Sequence, residues 1–298
     1  MNQIQLARSV LCVPAVNRRA LEKSATLPAD VIIYDLEDAV ARERKGEARE
    51  NLERLFKNNR PAGKQTVIRI NPLDTDFGRE DMRVVLACQP DAVLLPKVET
   101  VANMAAASAI LNSNGAPLRV KIWGMLETPR GVVNAAAIAG AYSAALAGGR
   151  LEALIVGVND LRSQTGVLAE TDRTYLVPWL MQVVLAARAY GLRVIDGVYN
   201  DFSDTDGFVA ECEQSRAMGF DGKMLIHPSQ IEGANRHFSP SDDALAEAHA
   251  IINAFSAPEA TGLNVIDLNG RMVERLHLEQ AEKLVALASA INQTGDAQ

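Results

Sequence analysis

The sequence predicts an α/β protein, a (β/α)8 or TIM barrel with a C-terminal helical extension or lid, and three observations lead there. Eight short, β-rich apolar runs recur between residues 9 and 226, each followed by a longer alanine- or leucine-rich stretch with helical spacing. The runs are apolar at successive positions, as strands buried on both faces must be. After Pro240 that rhythm stops.

The strand candidates are "SVLCV" (9–13), "VIIY" (31–34), "TVIRI" (66–70), "AVLL" (92–95), "VKIWGML" (120–126), "ALIVGV" (153–158), "RVID" (193–196) and "KMLI" (223–226). Helical segments such as "NMAAASAIL" and "LVPWLMQVVLAARAY" lie between them, the latter stopping before Gly191, a suitable C-cap. Eight such units fit a closed barrel, typically about 250 residues, better than an open sheet. Residues 1–240 are therefore read as the barrel domain and 241–298 as a C-terminal segment serving as lid or oligomerisation element. Within that segment "SPSDDALAEAHAIINAF" is a helix that Ser241, Asp242 or Asp243 can cap. "APEATG" reads as a linker, "LNVIDLNGRMVERL" as two strands about an Asn269-Gly270 turn, and "LEQAEKLVALASAI" as an amphipathic helix.

With 298 residues, 48% hydrophobic and 22% charged, the chain is an ordinary globular protein with room for a large core. Its 37 acidic against 30 basic residues give a net charge of -7, the opposite of a nucleic-acid binder's footprint. Cys12, Cys88 and Cys212 are far apart and form neither a disulfide framework nor a zinc motif. With no signal-peptide core and no membrane-length apolar run, the expected location is cytoplasmic, with neither nucleic acid nor membrane as partner.

Barrel enzymes keep their chemistry at the C-terminal ends of the strands, which makes the residue following each run informative. Here those positions are ionic: Asp35, Glu37 and Asp38 after strand two, Arg69 and Asn71 at strand three, Lys97 after strand four, Glu127 after strand five. Asn159 and Asp160 follow strand six, Asp196 ends strand seven and His227 follows strand eight. Taken singly each has an ordinary explanation. Asp38 or Asp160 can cap the next helix, Arg69 and Lys97 can sit in structural ion pairs, and His227 reads as a hydrogen-bonded rim histidine. Charges converging on one rim from at least five strands point instead to a site, because partly buried charge is costly unless paired or metal-bound. Two carboxylates without a His or Cys cluster suit Mg²⁺, which keeps several waters and leaves positions for substrate oxygens. Glu127 and Asp160, on adjacent strands, are the best-placed pair; the remaining acids near strand two, Glu37 and Asp38 among them, hydrogen-bond to Arg69, to Lys97 or to metal-bound water, and with Lys97 form a surrounding layer.

Taken in order, "RSVLCVPAVNRRALEKS", "ADVIIYDLEDAV", "VIRINP", "LLPKVET", "LETPRGVVNA", "VGVNDL", "LRVIDGVYNDFSD", "GFDGKMLIHPSQI" and "FSPSDDALAEAHAIINAF" resemble the citrate lyase beta-subunit-like branch of the HpcH/HpaI aldolase family. That branch contains malyl-CoA, citramalyl-CoA and citryl lyases. The resemblance implies a Mg²⁺-dependent barrel, a homotrimer or larger homo-oligomer such as a hexamer, acting on an acyl-CoA thioester and a 2-oxo acid. It implies Glu127 and Asp160 as metal ligands, Arg69 as the group steadying the thioester enolate, and Arg18 and Lys23 as contacts to the CoA portion. Relatives carry a C-terminal aspartate in a "MxDxP"-like setting that reaches a neighbour's site as acid or base. Here "RMVERLH" puts Glu274 there and Leu276 at the proline. Either Glu274 retains the role or the role has lapsed. The usual "VPG" is "VPA", with Ala15.

The expected activity is retro-Claisen cleavage of malyl-CoA or citramalyl-CoA into acetyl-CoA and a 2-oxo acid. The alternatives are a citrate lyase beta-type subunit acting on a carrier-bound citryl thioester, a class II pyruvate aldolase, and a non-catalytic CoA binder.

Overall fold

All eight apolar runs form parallel strands in the computed structural model, which describes residues 4–58, 60–143, 149–168 and 173–295. The strands are β1 (Ser9–Pro14), β2 (Val31–Asp35), β3 (Gln65–Arg69), β4 (Ala92–Leu95), β5 (Lys121–Leu126), β6 (Leu151–Val156), β7 (Arg193–Asp196) and β8 (Gly222–Leu225). They pair in chain order, and β8 returns to β1 through Ser9 with Lys223 and Leu11 with Leu225, so the barrel is closed. A closed barrel leaves no free sheet edge.

Its interior is filled by alternate residues of the strands: Val10, Val31, Ile33, Val67, Leu94, Trp123, Met125, Ile155, Ile195 and Met224 pack as one cluster. Toward the strands' N-terminal ends, Glu152 Oε2 accepts from Trp123 Nε1 (3.0 Å) and Arg193 Nη2 (2.6 Å), while Arg193 Nη1 donates to Gln65 (3.0 Å). This polar plug closes that end and leaves the C-terminal mouth as the open one.

The α-helices that alternate with the strands are α1 (Arg18–Ser24), α2 (Lys45–Asn58), α3 (Asp76–Cys88), α4 (Val101–Ser113), α5 (Pro129–Val133), α6 (Ala135–Tyr142), α7 (Val158–Thr165), α8 (Val177–Ala189), α9 (Thr205–Met218) and α10 (Gln230–His237). Their starts are written locally. Asn17 caps α1, Thr75 caps α3 and Thr128 caps α5 by accepting from Gly131 N, with Pro129 in the first turn. As the sequence suggested, α8 ends just before Gly191, whose φ is 66°.

Residues 7–236 make one compact unit; residues 1–6 with 237–298 make the other. The second unit holds α11 (Asp242–Ser256) packed on α12 (Arg275–Gly295), and the antiparallel hairpin β9 (Val265–Leu268) and β10 (Arg271–Glu274). Ser241, of the three candidates, is the cap of α11, accepting from Ala244 N at 3.3 Å. The hairpin turns on Asn269 and Gly270, both left-handed (φ 55° and 76°), which matches the right-handed twist of the strands. The "APEATG" stretch is not a bare linker: Pro258–Ala260 form a 3₁₀ turn, with Ala260 buried. Among the described residues no helix is long and apolar enough to cross a membrane.

Candidate active site

The mouth is built by continuing the inward alternation one step beyond the apolar cluster. Val31 and Ile33 lead to Asp35, Val67 to Arg69, Trp123 and Met125 to Glu127, and Ile155 to Gly157. Asp35 and Arg69 sit opposite each other in the β2–β3 register. Their side chains form a bidentate pair, Arg69 Nε to Asp35 Oδ1 at 2.7 Å and Nη2 to Oδ2 at 2.6 Å. Burial alone would lower the guanidinium's pKa; the Asp35 carboxylate overcomes it and holds the group fully charged. Asp35 also accepts from the backbone N–H groups of Glu37 (2.9 Å) and Ala39 (3.0 Å), so one carboxylate fixes both the cation and the following turn.

Glu37 is buried on that turn. Lys45 Nζ donates to the carbonyls of Leu36 and Glu37 at 2.9 Å each, and Asn71 Nδ2 donates to Leu36 O at 2.9 Å. The Glu37 carboxylate accepts from Lys97 Nζ through Oε1 at 3.0 Å; Oε2 lies 3.3 Å from Arg69 Nη1 without hydrogen-bond geometry, and has no other partner. Burial raises the pKa of Glu37, against the opposing pull of Arg69.

Glu127 is 2% exposed and accepts the Lys97 backbone N–H through Oε1 at 2.7 Å. Lys97 reaches that position in the left-handed region, φ 50°, which a side chain adopts only at a cost. On the other side Glu127 packs against Gly157, where a Cβ would fall 2.3 Å from Glu127 Cβ and 2.7 Å from Oε2. Burial and the negative charges of Glu37 and Asp160 push the Glu127 carboxyl up to about 8, with the Lys97 N–H opposing. Asp160 is half-buried in the first turn of α7.

This crowding tests whether the residues suit a cation. A buried carboxyl raised by neighbouring acids, beside a buried carboxylate oxygen with no hydrogen bond, is the environment a hard divalent ion relieves. Among the described residues no group of three or more His, Cys, Asp or Glu is spaced as a complete ligand cage. Two protein carboxylates with water and substrate oxygens suit Mg²⁺ in particular.

The remaining sequence candidates fall elsewhere. Arg18 is exposed, bonds Asn51 Oδ1 through Nε at 2.8 Å, and lines a cleft of about 810 Å³ with Pro14, Val16, Asn17, Ala39, Arg44 and Glu47. Lys23 is exposed in the last turn of α1, and Asp38 is exposed beside Glu37. Glu274 ends β10 in the C-terminal unit, half-buried, its backbone N–H donating to His277 Nδ1 at 2.9 Å. His227 is a rim residue, hydrogen-bonded to Ser229 (2.8 Å) and stacked on Phe202 at 4.6 Å.

Asp196 does not join the mouth. Ile195 points inward, so Asp196 points to the helices, where it binds Lys223 Nζ (2.7 Å), Arg173 Nη1 (2.7 Å) and Ser215 Oγ (2.7 Å) at 0% exposure. Strand parity, available in the sequence, separates it from Asp35 and Glu127. Two features had no signal in a list of charged strand ends: the backbone role of Lys97 and the space at Gly157. The Asp35 clamp matches the bonding to Arg69 expected of the acids near strand two, and parity places it in the mouth, since Val31, Ile33 and Asp35 share a face.

The HpcH/HpaI aldolase/citrate lyase family model matches residues 8–228. The chain is 42% identical to a (3S)-malyl-CoA thioesterase of Cereibacter sphaeroides over 95% of both chains. It is 32% identical to the L-malyl-CoA/beta-methylmalyl-CoA lyase of Rhodobacter capsulatus, over 95% of both, and 31% identical to citrate lyase subunit beta of Leuconostoc mesenteroides, over 97% of this chain and 96% of the relative. Among solved structures, CitE of Mycobacterium tuberculosis in complex with magnesium, acetoacetate and coenzyme A matches with a TM-score of 0.76 and 29% identity, over 94% of this chain and 97% of that one. A further structure from that organism, the citrate lyase beta subunit with oxaloacetate and magnesium, matches with a TM-score of 0.67 and 30% identity, over 80% of this chain and 100% of that one. The closed barrel with its acidic mouth and these likenesses along nearly the whole chain agree: the chain belongs to the HpcH/HpaI aldolase/citrate lyase family.

Proposed function

We propose that the chain is a Mg²⁺-dependent carbon-carbon lyase that cleaves a 3-hydroxyacyl-CoA of the malyl-CoA or citramalyl-CoA type into acetyl-CoA and a 2-oxo acid. The observation that carries this reading is the juxtaposition of a clamped, permanently charged Arg69 with the Glu127 and Glu37 carboxylates in one barrel mouth.

Glu127 and Asp160 would hold the Mg²⁺, the charge of Glu37 being felt at Glu127. Bound there, the ion supplies Lewis-acid polarisation of the hydroxyl and carboxylate oxygens that become the 2-oxo acid. Cleavage breaks the bond between the thioester α-carbon and the hydroxyl-bearing carbon as the hydroxyl gives up its proton to solvent water and becomes the 2-oxo group, leaving the electron pair of the broken bond as negative charge on the thioester oxygen. Arg69 stabilises that charge: it cannot lose its proton, and Asp35 fixes its orientation so that little reorganisation is needed. Glu274 of a second copy in a homo-oligomer delivers the proton to the α-carbon, in the role the family assigns to aspartate. Arg18, at the cleft beside β1, and Lys23, exposed in the last turn of the same helix, receive the nucleotide end of CoA. The bound magnesium and coenzyme A of the Mycobacterium tuberculosis structure support the choice of metal and of thioester.

One second reading has a specific observation behind it. The 42% identity to (3S)-malyl-CoA thioesterase over 95% of both chains favours hydrolysis of the same substrate class. Product analysis separates them. Purified protein with Mg²⁺ and (3S)-malyl-CoA or citramalyl-CoA yields acetyl-CoA with glyoxylate or pyruvate under the lyase reading, and free CoA with the hydroxy diacid under the thioesterase reading. No consumption of either thioester would sink both.

A further inference from the structure

The mouth of the barrel is chemically divided. The ionic groups that meet in the mouth, Asp35, Glu37, Arg69, Lys97, Glu127 and Asp160, come from β2 to β6 and the turns after them. On the remaining arc, from β7, β8 and β1, the residues that pack on the interior cluster carry carbon and sulfur, with His227 on the rim beyond them. Cys12, two residues past Val10, and Val198, just past β7, are partly buried and pack on the interior cluster. Ile226, two residues past the inward Met224, is 40% exposed at the end of β8. Leu11 pairs with Leu225, so Cys12 and Ile226 each lie one residue beyond that paired position. Cys12 also lies close enough to Asp35 and Arg69 to feel both charges, which places it at the boundary between the halves. Burial pushes its thiol up to about 12, so at neutral pH it is an uncharged, weakly polar contact.

Partly exposed aliphatic side chains lining a catalytic mouth stay wetted until a ligand covers them. The substrate class proposed above has a matching division: its carboxylate, hydroxyl and thioester oxygens need the ionic arc, and its carbon skeleton needs an apolar one. We propose that Cys12, Val198 and Ile226 form the wall against which the carbon substituent of the 2-oxo-acid half packs, and so determine whether hydrogen or a methyl group is accepted there. The inference rests on the proposed function for the identity of the ligand, and on the barrel geometry for the wall.

Two measurements test it. Cys88 and Cys212 are buried, at 4% and 0% exposure, so Cys12 is the most accessible of the three thiols and its labelling reports occupancy of the wall. Labelling with 4,4′-dithiodipyridine, followed by peptide mass spectrometry, is expected to slow several-fold when pyruvate and Mg²⁺ are added. Unchanged labelling at saturating pyruvate overturns the proposal. The second measurement is the ratio of kcat/KM for citramalyl-CoA over malyl-CoA in Ile226→Ala and Val198→Ala. Enlarging the wall is expected to raise that ratio about tenfold, the discrimination one methyl group provides in an apolar pocket. A ratio unmoved in both variants overturns the proposal while leaving the lyase reading intact. A protein inactive on every thioester, yet with Cys12 protected by pyruvate, would separate failure of the proposed reaction from failure of the wall.

Discussion

The backbone N–H of Lys97 donates to Glu127 Oε1 at 2.7 Å from a left-handed conformation, φ 50°, while the Nζ of the same residue donates to Glu37 Oε1 at 3.0 Å. One residue thus positions two carboxylates, through two different groups. The backbone contribution needs the left-handed turn; the side-chain contribution needs the lysine.

Substitution separates these roles. Glycine adopts φ above zero without penalty, so Lys97→Gly removes a strain of about 1–2 kcal/mol and keeps the bond to Glu127. Both substitutions lose the ion pair to Glu37, so the turn is read from their difference: we expect Lys97→Ala to melt below Lys97→Gly, with both losing turnover through the freed Glu37. Calorimetry in which Lys97→Ala is the more stable of the two would show that the left-handed turn is not a source of strain.

Gly157 leaves the space that Glu127 fills. A Cβ there would lie 2.3 Å from Glu127 Cβ, closer than packing tolerates, so Gly157→Ala must displace Glu127 or the turn that carries Asp160. The expected cost is about 1–3 kcal/mol of stability, with a loss of Mg²⁺ affinity beyond what the stability change explains. Parental metal affinity in a folded Gly157→Ala would mean that Glu127 is not held by this contact.

The Asp35–Arg69 pair predicts the same kinetic loss from either member, by different routes. Arg69→Lys retains charge but not the planar fork, and Asp35→Asn retains shape but not the charge that fixes the fork. Both are expected to lower kcat by about 10²–10³, the range for removing one preorganised donor to a developing oxyanion. Steady-state kinetics showing a change in KM alone would assign Arg69 to ground-state binding instead.

Much of this architecture was legible because the barrel writes its strands as apolar runs and its mouth as the next inward residue. Val31, Ile33 and Asp35 illustrate the rule, and Ile195 with Asp196 shows its limit when parity is ignored. Every strand-end charge looked alike in a linear reading, yet Asp196 binds Lys223 behind the strand while Asp35 binds Arg69 within the mouth. The left-handed turn at Lys97 was invisible for a different reason: no glycine or asparagine marks it, and the hydrogen bond that holds it spans thirty positions. The Asn269-Gly270 hairpin carried the usual sequence mark of such a turn and was readable.

Asp196 makes a prediction about acid. Burial favours its neutral form, but Lys223 and Arg173 outweigh burial and bring the carboxyl down to about 2 from 3.8. A depressed folded pKa contributes stability that is fully present above the unfolded value and is lost as pH falls through the folded one. The contribution, on the order of 2 kcal/mol, should disappear between about pH 4 and pH 2. Asp196→Asn strands part of a buried charge network and should melt lower at neutral pH, with the gap to the parent narrowing as pH falls through that window. A gap that stays constant down to pH 2 would contradict this assignment.

The central claim is that Glu127 and Asp160 make the mouth a Mg²⁺ site. Isothermal titration of Mg²⁺ into the parent, Glu127→Ala and Asp160→Ala, each shown by circular dichroism to be folded, tests it most directly. Binding to the parent and its loss in both variants are expected; unchanged Mg²⁺ affinity in folded Glu127→Ala and Asp160→Ala would show that these carboxylates are not the ligands.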